Sequence, residues 1–287
     1  MTDLAAEVAE HEYWYHSIEL PGGITTPGIF DMPRARARVG MPASLSGKRC
    51  LDVGTEDGFW AFEMERRGAS EVVAVDLGGS AFLDWPPAHG PVPEGKPQIS
   101  KRFELAREAL GSRVEWVPGS VYDLRPGMVG TFDFVFLGSM LLHLRDPTRA
   151  LAAVRTVVDG ELLVNDAVSL PLTWLRPWWP AARLVGGAGD PNWWIPNVAG
   201  LRRLVETAGY RVLASGRPYF LGWGKGLATV PVQLVHQVSL KPPHRIPIQL
   251  IRHLRDRMGI PHAWLLACPQ PGLSSEPLEP HRSPTSA

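Results

Sequence analysis

A short turn flanked by glycines is the part of the sequence best suited to chemistry. In the run CLDVGTEDGFWAF, Asp52 closes an apolar segment, a turn lies between Gly54 and Gly58, and a predicted helix follows at once. Open α/β sheets bind ligands at the carboxyl ends of their strands, and the glycines allow a sharp turn and close backbone approach. Asp76 ends the next apolar segment, where its carboxylate can accept both ribose hydroxyls. The pattern predicts a site for an adenosine-containing cofactor.

The glycine spacing indicates which cofactor this is. A dinucleotide site needs G-x-G-x-x-G, so that the pyrophosphate can reach the helix N-terminus. Here Glu56 and Asp57 stand between Gly54 and Gly58, and their carboxylates would repel a pyrophosphate. The same two charges favour a cationic sulfonium and an amino group. We therefore expect S-adenosyl-L-methionine as the cofactor.

Three residues are candidates for a general base. Methyl transfer to a hydroxyl needs alignment of the reactants and a group that takes the proton. His143 lies just after a predicted strand and titrates near working pH, although it could instead cap the helix that begins near Asp146. Asp166 could orient His143, accept the proton or help to ligate a divalent metal, whose requirement the sequence leaves open. His16 is a third candidate, in a segment that could also serve only to cover the cofactor.

The chain has 11 tryptophans, and four of them form two adjacent pairs beside Pro and Gly. Aromatic faces can stack on a planar ring or on a sugar while excluding water. We predict that aromatic side chains build the acceptor pocket, with core packing as the alternative for about half of them. The candidates are Trp14, Tyr15, Trp178, Trp179, Trp193 and Trp194.

The elements that must position these residues alternate along the chain. Apolar runs predict seven strands, at 48–53, 71–76, 114–117, 132–137, 160–165, 211–215 and 262–267. Periodic segments predict helices at 59–67, 101–110, 148–157 and 197–208. Such alternation indicates a Rossmann-like α/β fold, in which helices cover both faces of a mostly parallel seven-stranded sheet.

Around this core we expect an N-terminal lid and two insertions. Residues 1–46 would form the lid and 47–268 the main domain, with a Trp-rich cap at 168–196 and a basic insertion at 218–260. Residues 269–287 form a Ser- and Pro-containing tail that we expect to be disordered.

Charge and hydropathy exclude several classes of protein. The 29 basic and 29 acidic residues balance, which excludes a polybasic chain and an acidic tail protein. No apolar run is long enough to span a membrane, and the start lacks the layout of a secretory signal, so we expect a cytoplasmic protein. Residues 201–262, however, carry ten Arg or Lys against two acids. This asymmetry marks either a nucleic-acid face or a solvated helix face.

Four runs of the sequence resemble one enzyme family. They are WYHSIELPGGITTPG, LDVGTEDGFWAFEMERRGASEVVAVDL, LLHLRDP and NWWIPNVAGLRRLVETAGY. Together they resemble class I S-adenosylmethionine-dependent methyltransferases, and among these the relatives of the tRNA wobble-uridine carboxymethyltransferase, over about residues 13–268. The resemblance implies that Asp52, Gly54 and Gly58 hold the methionine moiety and Asp76 the ribose. It also implies that further cofactor contacts come from Thr55, Leu77, Ser120 and Val121 (beside the adenine), Gly138 and Ser139.

Two departures from that family's pattern bear on the reaction. Leu142 stands where the tRNA enzymes carry a Tyr that helps to hold the carboxylate of carboxy-S-adenosylmethionine. Their basic Lys-Gly-Pro motif is replaced by residues 16–19, HSIE. Because leucine cannot hydrogen-bond a carboxylate, an unpaired charge beside it would be unfavourable. We therefore expect ordinary S-adenosylmethionine and plain methyl transfer.

The sequence leaves three functions open. The first is O-methylation of a small-molecule hydroxyl, on a saccharide or an aromatic metabolite. The second is modification of tRNA, which the family resemblance and the basic 201–262 segment support. The third is a non-catalytic cofactor-binding scaffold, against which the intact turn and the candidate base argue. A homo-oligomer is compatible with all three.

Overall fold

The computed structural model describes residues 3–11, 13–78, 83–90, 99–226 and 258–272. Its strands are β1 (Trp14–His16), β2 (Gly28–Phe30), β3 (Arg49–Val53), β4 (Glu71–Asp76), β5 (Glu115–Pro118), β6 (Phe132–Gly138), β7 (Val158–Ala167), β8 (Ala182–Leu184), β9 (Trp194–Pro196), β10 (Tyr210–Ser215), β11 (Tyr219–Leu221) and β12 (Ile260–Pro269). Its α-helices are α1 (Leu4–Glu10), α2 (Met32–Ala35), α3 (Phe59–Arg66), α4 (Ile99–Leu110), α5 (Pro126–Val129), α6 (Pro147–Arg155), α7 (Leu170–Leu175) and α8 (Val198–Thr207).

The central sheet has the predicted architecture. Its strand order is β10-β12-β7-β6-β3-β4-β5, and β3 to β7 pair in parallel while β12 runs antiparallel to its neighbours. The α/β fold and the mostly parallel sheet are thus confirmed. An eighth strand, β11, pairs with β12 within the range that we assigned to the basic insertion, so that range is partly sheet.

The central strands β3, β4 and β6 are mostly apolar because both faces of the sheet are covered there. Along β3, Cys50 faces one buried apolar cluster, whereas Leu51 and Val53 belong to the cluster on the opposite face. Their neighbours in β4 and β6 alternate in the same way. Parallel strands buried on both sides read as continuous apolar runs, which is why the sequence indicates them so clearly.

The predicted lid, residues 1–46, meets the carboxyl edge of this sheet where Tyr15 and His16 hydrogen-bond Asp57, in the turn after β3. The lid contains a short parallel pair, β1 and β2, in which Trp14 is opposite Gly28 and His16 is opposite Phe30. A bridge between Phe30 and Trp223 joins the lid to the chain that follows β11. Residues 227–257 of the predicted basic insertion and 273–287 of the predicted disordered tail lie outside the described residues.

The predicted Trp-rich cap consists of α7 and a hairpin of β8 and β9. Among the residues that the structure describes, no helix is long and apolar enough to cross a membrane.

Candidate functional site

The turn between β3 and α3 is built as the sequence predicts. The amide of Gly54 (φ 77°) donates to the carbonyl of Val75, and the amide of Gly58 closes the turn on the carbonyl of Thr55, both at 2.8 Å. The Thr55 hydroxyl donates to Asp52 Oδ2 at 2.7 Å. Asp52 is 1% exposed, and its burial raises the pKa of this carboxyl to about 7. Asp52 therefore supports the turn from beneath.

Gly58 is required for a different reason from the one we expected. A Cβ built at this residue would lie 2.6 Å from the Phe62 ring and 2.7 Å from the Phe103 ring. The φ of 91° also disfavours a side chain here. The expectation that Gly58 admits a ligand is wrong, because aromatic rings of the core fill that space.

Asp76, at the end of β4, keeps acceptor capacity at the sheet edge. Its Oδ2 accepts from the amide of Glu56 at 2.7 Å and its Oδ1 from the amide of Leu77 at 2.6 Å. Burial raises the pKa of this carboxyl to about 6. Each carboxylate oxygen has a second lone pair, so both can still accept a ribose hydroxyl.

The loop after β5 comes to the same place. The amide of Gly119 donates to the carbonyl of Asp76 at 2.8 Å, which brings half-buried Ser120 to the edge. The Ser120 hydroxyl caps the turn that follows by accepting from the amide of Tyr122 at 3.2 Å. Val121 is buried in the core under this loop.

We expected both acids inside the turn to face a ligand, but one of them does not. Asp57 is fully buried, and its Oδ1 accepts from Arg102 Nε at 2.6 Å. Arg102 also pairs with Glu56 at 3.2 Å, so one guanidinium offsets part of both charges. The amides of Tyr15 and His16 donate to Asp57 Oδ2 at 2.5 and 2.9 Å. Asp57 therefore ties the lid to the turn.

His16 meets the turn from the lid side. Its ring centroid lies 6.0 Å from that of Phe59, at the start of α3. The side chain is buried, which lowers its pKa to about 4. Within the described part of the chain, His16 Nδ1 has no hydrogen-bond partner. A buried, unsatisfied ring nitrogen beside the turn fits a site that a polar ligand completes.

The neighbouring aromatic residues of the lid have different surroundings. Trp14 is 1% exposed, and its indole donates to the carbonyl of Val8 at 3.1 Å. The prediction that Trp14 lines a pocket is wrong, because it belongs to the core. Tyr15 is half-buried, and its ring centroid lies 5.0 Å from that of Phe30, in β2. Tyr15 therefore packs within the predicted lid, and its role in the acceptor pocket stays a prediction.

A contact that the sequence did not predict joins the loop after β6 to β12. Ser139 Oγ lies 2.9 Å from His262 Nε2, and His262 Nδ1 lies 3.0 Å from the carbonyl of Ile260. A carbonyl only accepts, so Nδ1 carries the proton and Nε2 accepts from Ser139. The only signal in the sequence is a histidine in the apolar strand IPHAWLLAC.

Asp166 organises the loop after β6. Its Oδ2 accepts from the amides of Met140 at 3.0 Å and Leu141 at 2.7 Å, and its Oδ1 from that of Ala167 at 2.7 Å. Burial raises the pKa of this carboxyl to about 7. His143 Nδ1 lies 3.3 Å from the carbonyl of Pro191, and the orientation of His143 by Asp166 stays a prediction.

His143 and the second tryptophan pair come together. The amide of Trp193 donates to the carbonyl of Leu142 at 2.8 Å, and the indole of Trp194 to the carbonyl of Leu144 at 2.9 Å. These carbonyls flank half-buried His143. Asp146 caps α6, accepting from the amide of Arg149 at 2.9 Å, so the capping role considered for His143 is filled by another residue.

The first tryptophan pair is not at the site. Trp178 is 91% exposed and Trp179 is 72% exposed. The prediction that both line the acceptor pocket is wrong, because the chain turns outward after α7.

A cavity of about 410 Å³ adjoins Trp194, beside the loop after β6. Leu142, Asp166, Pro196 and Leu201 are among the residues that line it. Its volume is within the range of small-molecule sites. The described ranges contain no cluster of three or more His, Cys, Asp or Glu side chains that could hold a metal ion.

Comparisons with known proteins agree on the family. The model of the methyltransferase domain family matches residues 31–215, more than half of the chain. The tRNA U34 carboxymethyltransferase of Dichelobacter nodosus is 28% identical over 170 residues, which cover 59% of this chain and 47% of that protein. The enzyme of the same name from Pseudomonas fluorescens strain Pf0-1 is 30% identical over 135 residues, 46% and 36% of the two chains. The chain spans about half the length of the curated relatives that it matches, or less.

Solved structures show the same fold. The N-terminal domain of EvdMO1 with S-adenosylhomocysteine bound aligns at a TM-score of 0.54 and 16% identity, covering 94% of this chain and 98% of that one. The [4+2]-cyclase SpnF aligns at a TM-score of 0.50 and 17% identity, covering 94% and 93%. With the glycine turn, the acid-ended β4 and the family match in place, the chain belongs to the methyltransferase domain family and has the α/β fold of class I S-adenosylmethionine-dependent methyltransferases.

Proposed function

We propose that this enzyme methylates a hydroxyl group on a small-molecule acceptor. The observation that supports this most is that Trp193 and Trp194 hydrogen-bond the carbonyls of Leu142 and Leu144, the two residues that flank His143. A candidate base and two half-buried aromatic residues thereby lie close together in the segment after β6.

The proposal assigns the cofactor to the edge formed by β3, β4 and β6. Asp76 would accept the ribose hydroxyls, as its free lone pairs allow. Around it we assign the positions that the family resemblance implies, Gly54, Thr55, Leu77, Ser120, Val121, Gly138 and Ser139. Asp52 and Gly58 act through the shape of the turn, because one is covered by Thr55 and the other by aromatic rings.

The cofactor supplies a methyl group that its sulfonium already activates. The chain's own residues align the acceptor and exclude water, since the lid covers one side of the edge and the Trp193 segment another. His143 takes the proton of the acceptor hydroxyl. Asp166 keeps the amides of Met140 and Leu141 fixed, and so holds the loop that carries His143.

Leu142 supports ordinary S-adenosylmethionine over its carboxylated form. The side chain is buried and cannot hydrogen-bond a carboxylate. A carboxylate beside it would lose its hydration without gaining a partner. The proposal is therefore transfer of a methyl group, not of a carboxymethyl group.

Methylation of tRNA is the second candidate. The curated relatives named as tRNA U34 carboxymethyltransferases favour it. The basic character of residues 201–262, which contain ten Arg or Lys and two acids, favours it as well. A protein of this kind would stack unpaired bases on aromatic side chains next to arginine.

One labelling experiment separates the candidates. The enzyme is incubated with tritium-methyl S-adenosylmethionine, unmodified bulk tRNA and a metabolite extract, and the tRNA and small-molecule fractions are counted separately. We expect label in the small-molecule fraction, in a base-stable product typical of an ether. Label in tRNA would replace the proposal by the second candidate. Binding of S-adenosylhomocysteine without label in either fraction would indicate the non-catalytic scaffold.

A further inference from the structure

Residues 174–179, which we name the tryptophan turn, form an exposed apolar surface next to α7. Trp174 is 74% exposed, Leu175 70%, Trp178 91% and Trp179 72%. Single exposed apolar side chains are normal on a protein surface, but a contiguous group of this size marks an interaction site. The proposed methyl transfer uses none of these four residues.

The backbone of the tryptophan turn is firmly held. Asn197 is fully buried, and its Nδ2 donates to the carbonyls of Arg176 at 2.8 Å and Trp179 at 2.9 Å. Its Oδ1 accepts from the amides of Ala181 at 3.1 Å and Gly200 at 2.7 Å. One side chain thus fastens the turn to the start of α8. A surface fixed in this way loses little conformational entropy when it binds.

The tryptophan turn itself carries charge of one sign. Residues 174–179 contain Arg176 and no Asp or Glu, whereas Arg183, farther along the chain, is half-buried near Asp190. Arg176 is exposed between the tryptophans. The partner must therefore accept indole and leucine side chains and carry negative charge at its surface.

An anionic lipid surface satisfies both conditions. Tryptophan is enriched at membrane interfaces because its apolar ring and its N–H can each find a suitable environment there. Side chains exposed by 70% or more project outward and could insert between headgroups, while arginine pairs with lipid phosphates. A second copy of this chain fits less well, because in a symmetric contact the same patch faces itself, and residues 174–179 contain no acid to pair with Arg176.

We propose that the tryptophan turn docks the enzyme on the surface of an anionic lipid bilayer. The docking is peripheral: Trp174, Leu175, Trp178 and Trp179 insert among the headgroups while the folded domain stays in water. The proposal stands on the exposure, the anchoring by Asn197 and the local charge, and it does not depend on the identity of the methyl acceptor.

Sedimentation with lipid vesicles tests this directly. The full chain is mixed with vesicles of phosphatidylcholine alone, or of equal parts phosphatidylglycerol and phosphatidylcholine. We expect wild type to sediment with the anionic vesicles only. The double variant Trp178→Ala/Trp179→Ala should bind them at least roughly tenfold more weakly, because two indoles no longer leave water. Arg176→Glu should weaken binding as well, and more strongly at low salt.

Matched controls remove equivalent groups from other faces. Leu110→Ala/Leu213→Ala deletes two exposed apolar side chains, and Arg113→Glu reverses one exposed charge, so both should bind vesicles like wild type. Unchanged melting temperatures would show that all variants are folded. The proposal is overturned if wild type fails to bind anionic vesicles, or if the double tryptophan variant binds them equally well. It is also overturned if light scattering shows a wild-type dimer that the double variant has lost.

Discussion

Two tryptophan pairs lie 15 residues apart, and the structure gives them opposite surroundings. Trp178 and Trp179 project into solvent, whereas both indoles of Trp193 and Trp194 donate to backbone carbonyls, of Asp84 at 2.6 Å and of Leu144 at 2.9 Å. Both pairs stand close to a proline, so local sequence does not separate them.

The difference comes from what the rest of the fold offers each pair. The short turn after β6 leaves the carbonyls of Leu142 and Leu144 available, and the second pair satisfies them. The carbonyls within the tryptophan turn are instead satisfied by Asn197, whose amide lies beneath them. A buried carbonyl needs a hydrogen-bond donor. The second pair supplies such donors itself and packs inward, whereas Asn197 supplies them at the first pair, whose indoles remain outside.

The largest expected effect concerns the base that accompanies the second pair. His143→Ala should lower the rate of methyl transfer by about 10²–10⁴-fold, because a positioned general base contributes that much. Cofactor affinity should remain nearly unchanged. The measurement is the single-turnover rate at which labelled methyl is transferred to the small-molecule fraction that the labelling experiment identifies as the acceptor. Trp178→Ala is the control and should transfer methyl at the wild-type rate with a soluble acceptor. If His143→Ala lost cofactor affinity by the same factor as rate, His143 would instead belong to the cofactor site.

The two pairs should also differ in stability. Trp193→Ala removes a half-buried ring and leaves the Asp84 carbonyl without its donor, which should lower the free energy of unfolding by about 3 kcal/mol. Trp178→Ala should change it by no more than about 0.5 kcal/mol. Urea denaturation of both variants measures the contrast. Equal losses would mean that the first pair is packed as well.

A smaller effect is expected at the anchor of the first pair. Asn197→Ala removes the cap of α8 and the donors to the tryptophan turn, so it should destabilise the fold by about 1–2 kcal/mol. Hydrogen exchange should then increase in residues 176–181 more than in residues 193–196. An equal increase in hydrogen exchange in both segments would contradict the assignment of Asn197 to the first pair alone.

A pH dependence is expected near the second pair. The pKa of Asp166 is about 7 in the fold, because of burial, against about 4 when unfolded. Since the folded pKa is the higher one, this carboxyl stabilises the fold below pH 4, and the contribution is lost as pH rises through 7. The amides of Met140, Leu141 and Ala167 bond the ionised form and lower this pKa, so the shift is smaller than burial alone would cause. In Asp166→Asn, the melting temperature should fall less between pH 4 and 7 than in wild type. An equal fall in both proteins would contradict the raised pKa of Asp166.

The same contrast shows what the sequence can predict. The sheet, the turn after β3 and the acid at the end of β4 follow from local patterns, and all are present. The role of Asp57 could not be predicted, because its partners Tyr15 and Arg102 lie 42 and 45 residues away. His262 meets Ser139 across 123 residues, from an antiparallel strand whose neighbours only the fold defines.

Calorimetric titration of S-adenosylhomocysteine into wild type and Asp76→Ala tests the central claim, that the edge formed by β3, β4 and β6 binds the cofactor. Trp178→Ala/Trp179→Ala is the control, and melting temperatures verify that each variant is folded. We predict micromolar affinity for wild type and the control, in the range of ordinary enzyme ligands, and a loss of at least about tenfold in Asp76→Ala. Unchanged affinity in a folded Asp76→Ala would contradict the placement of the ribose and of the site built around it.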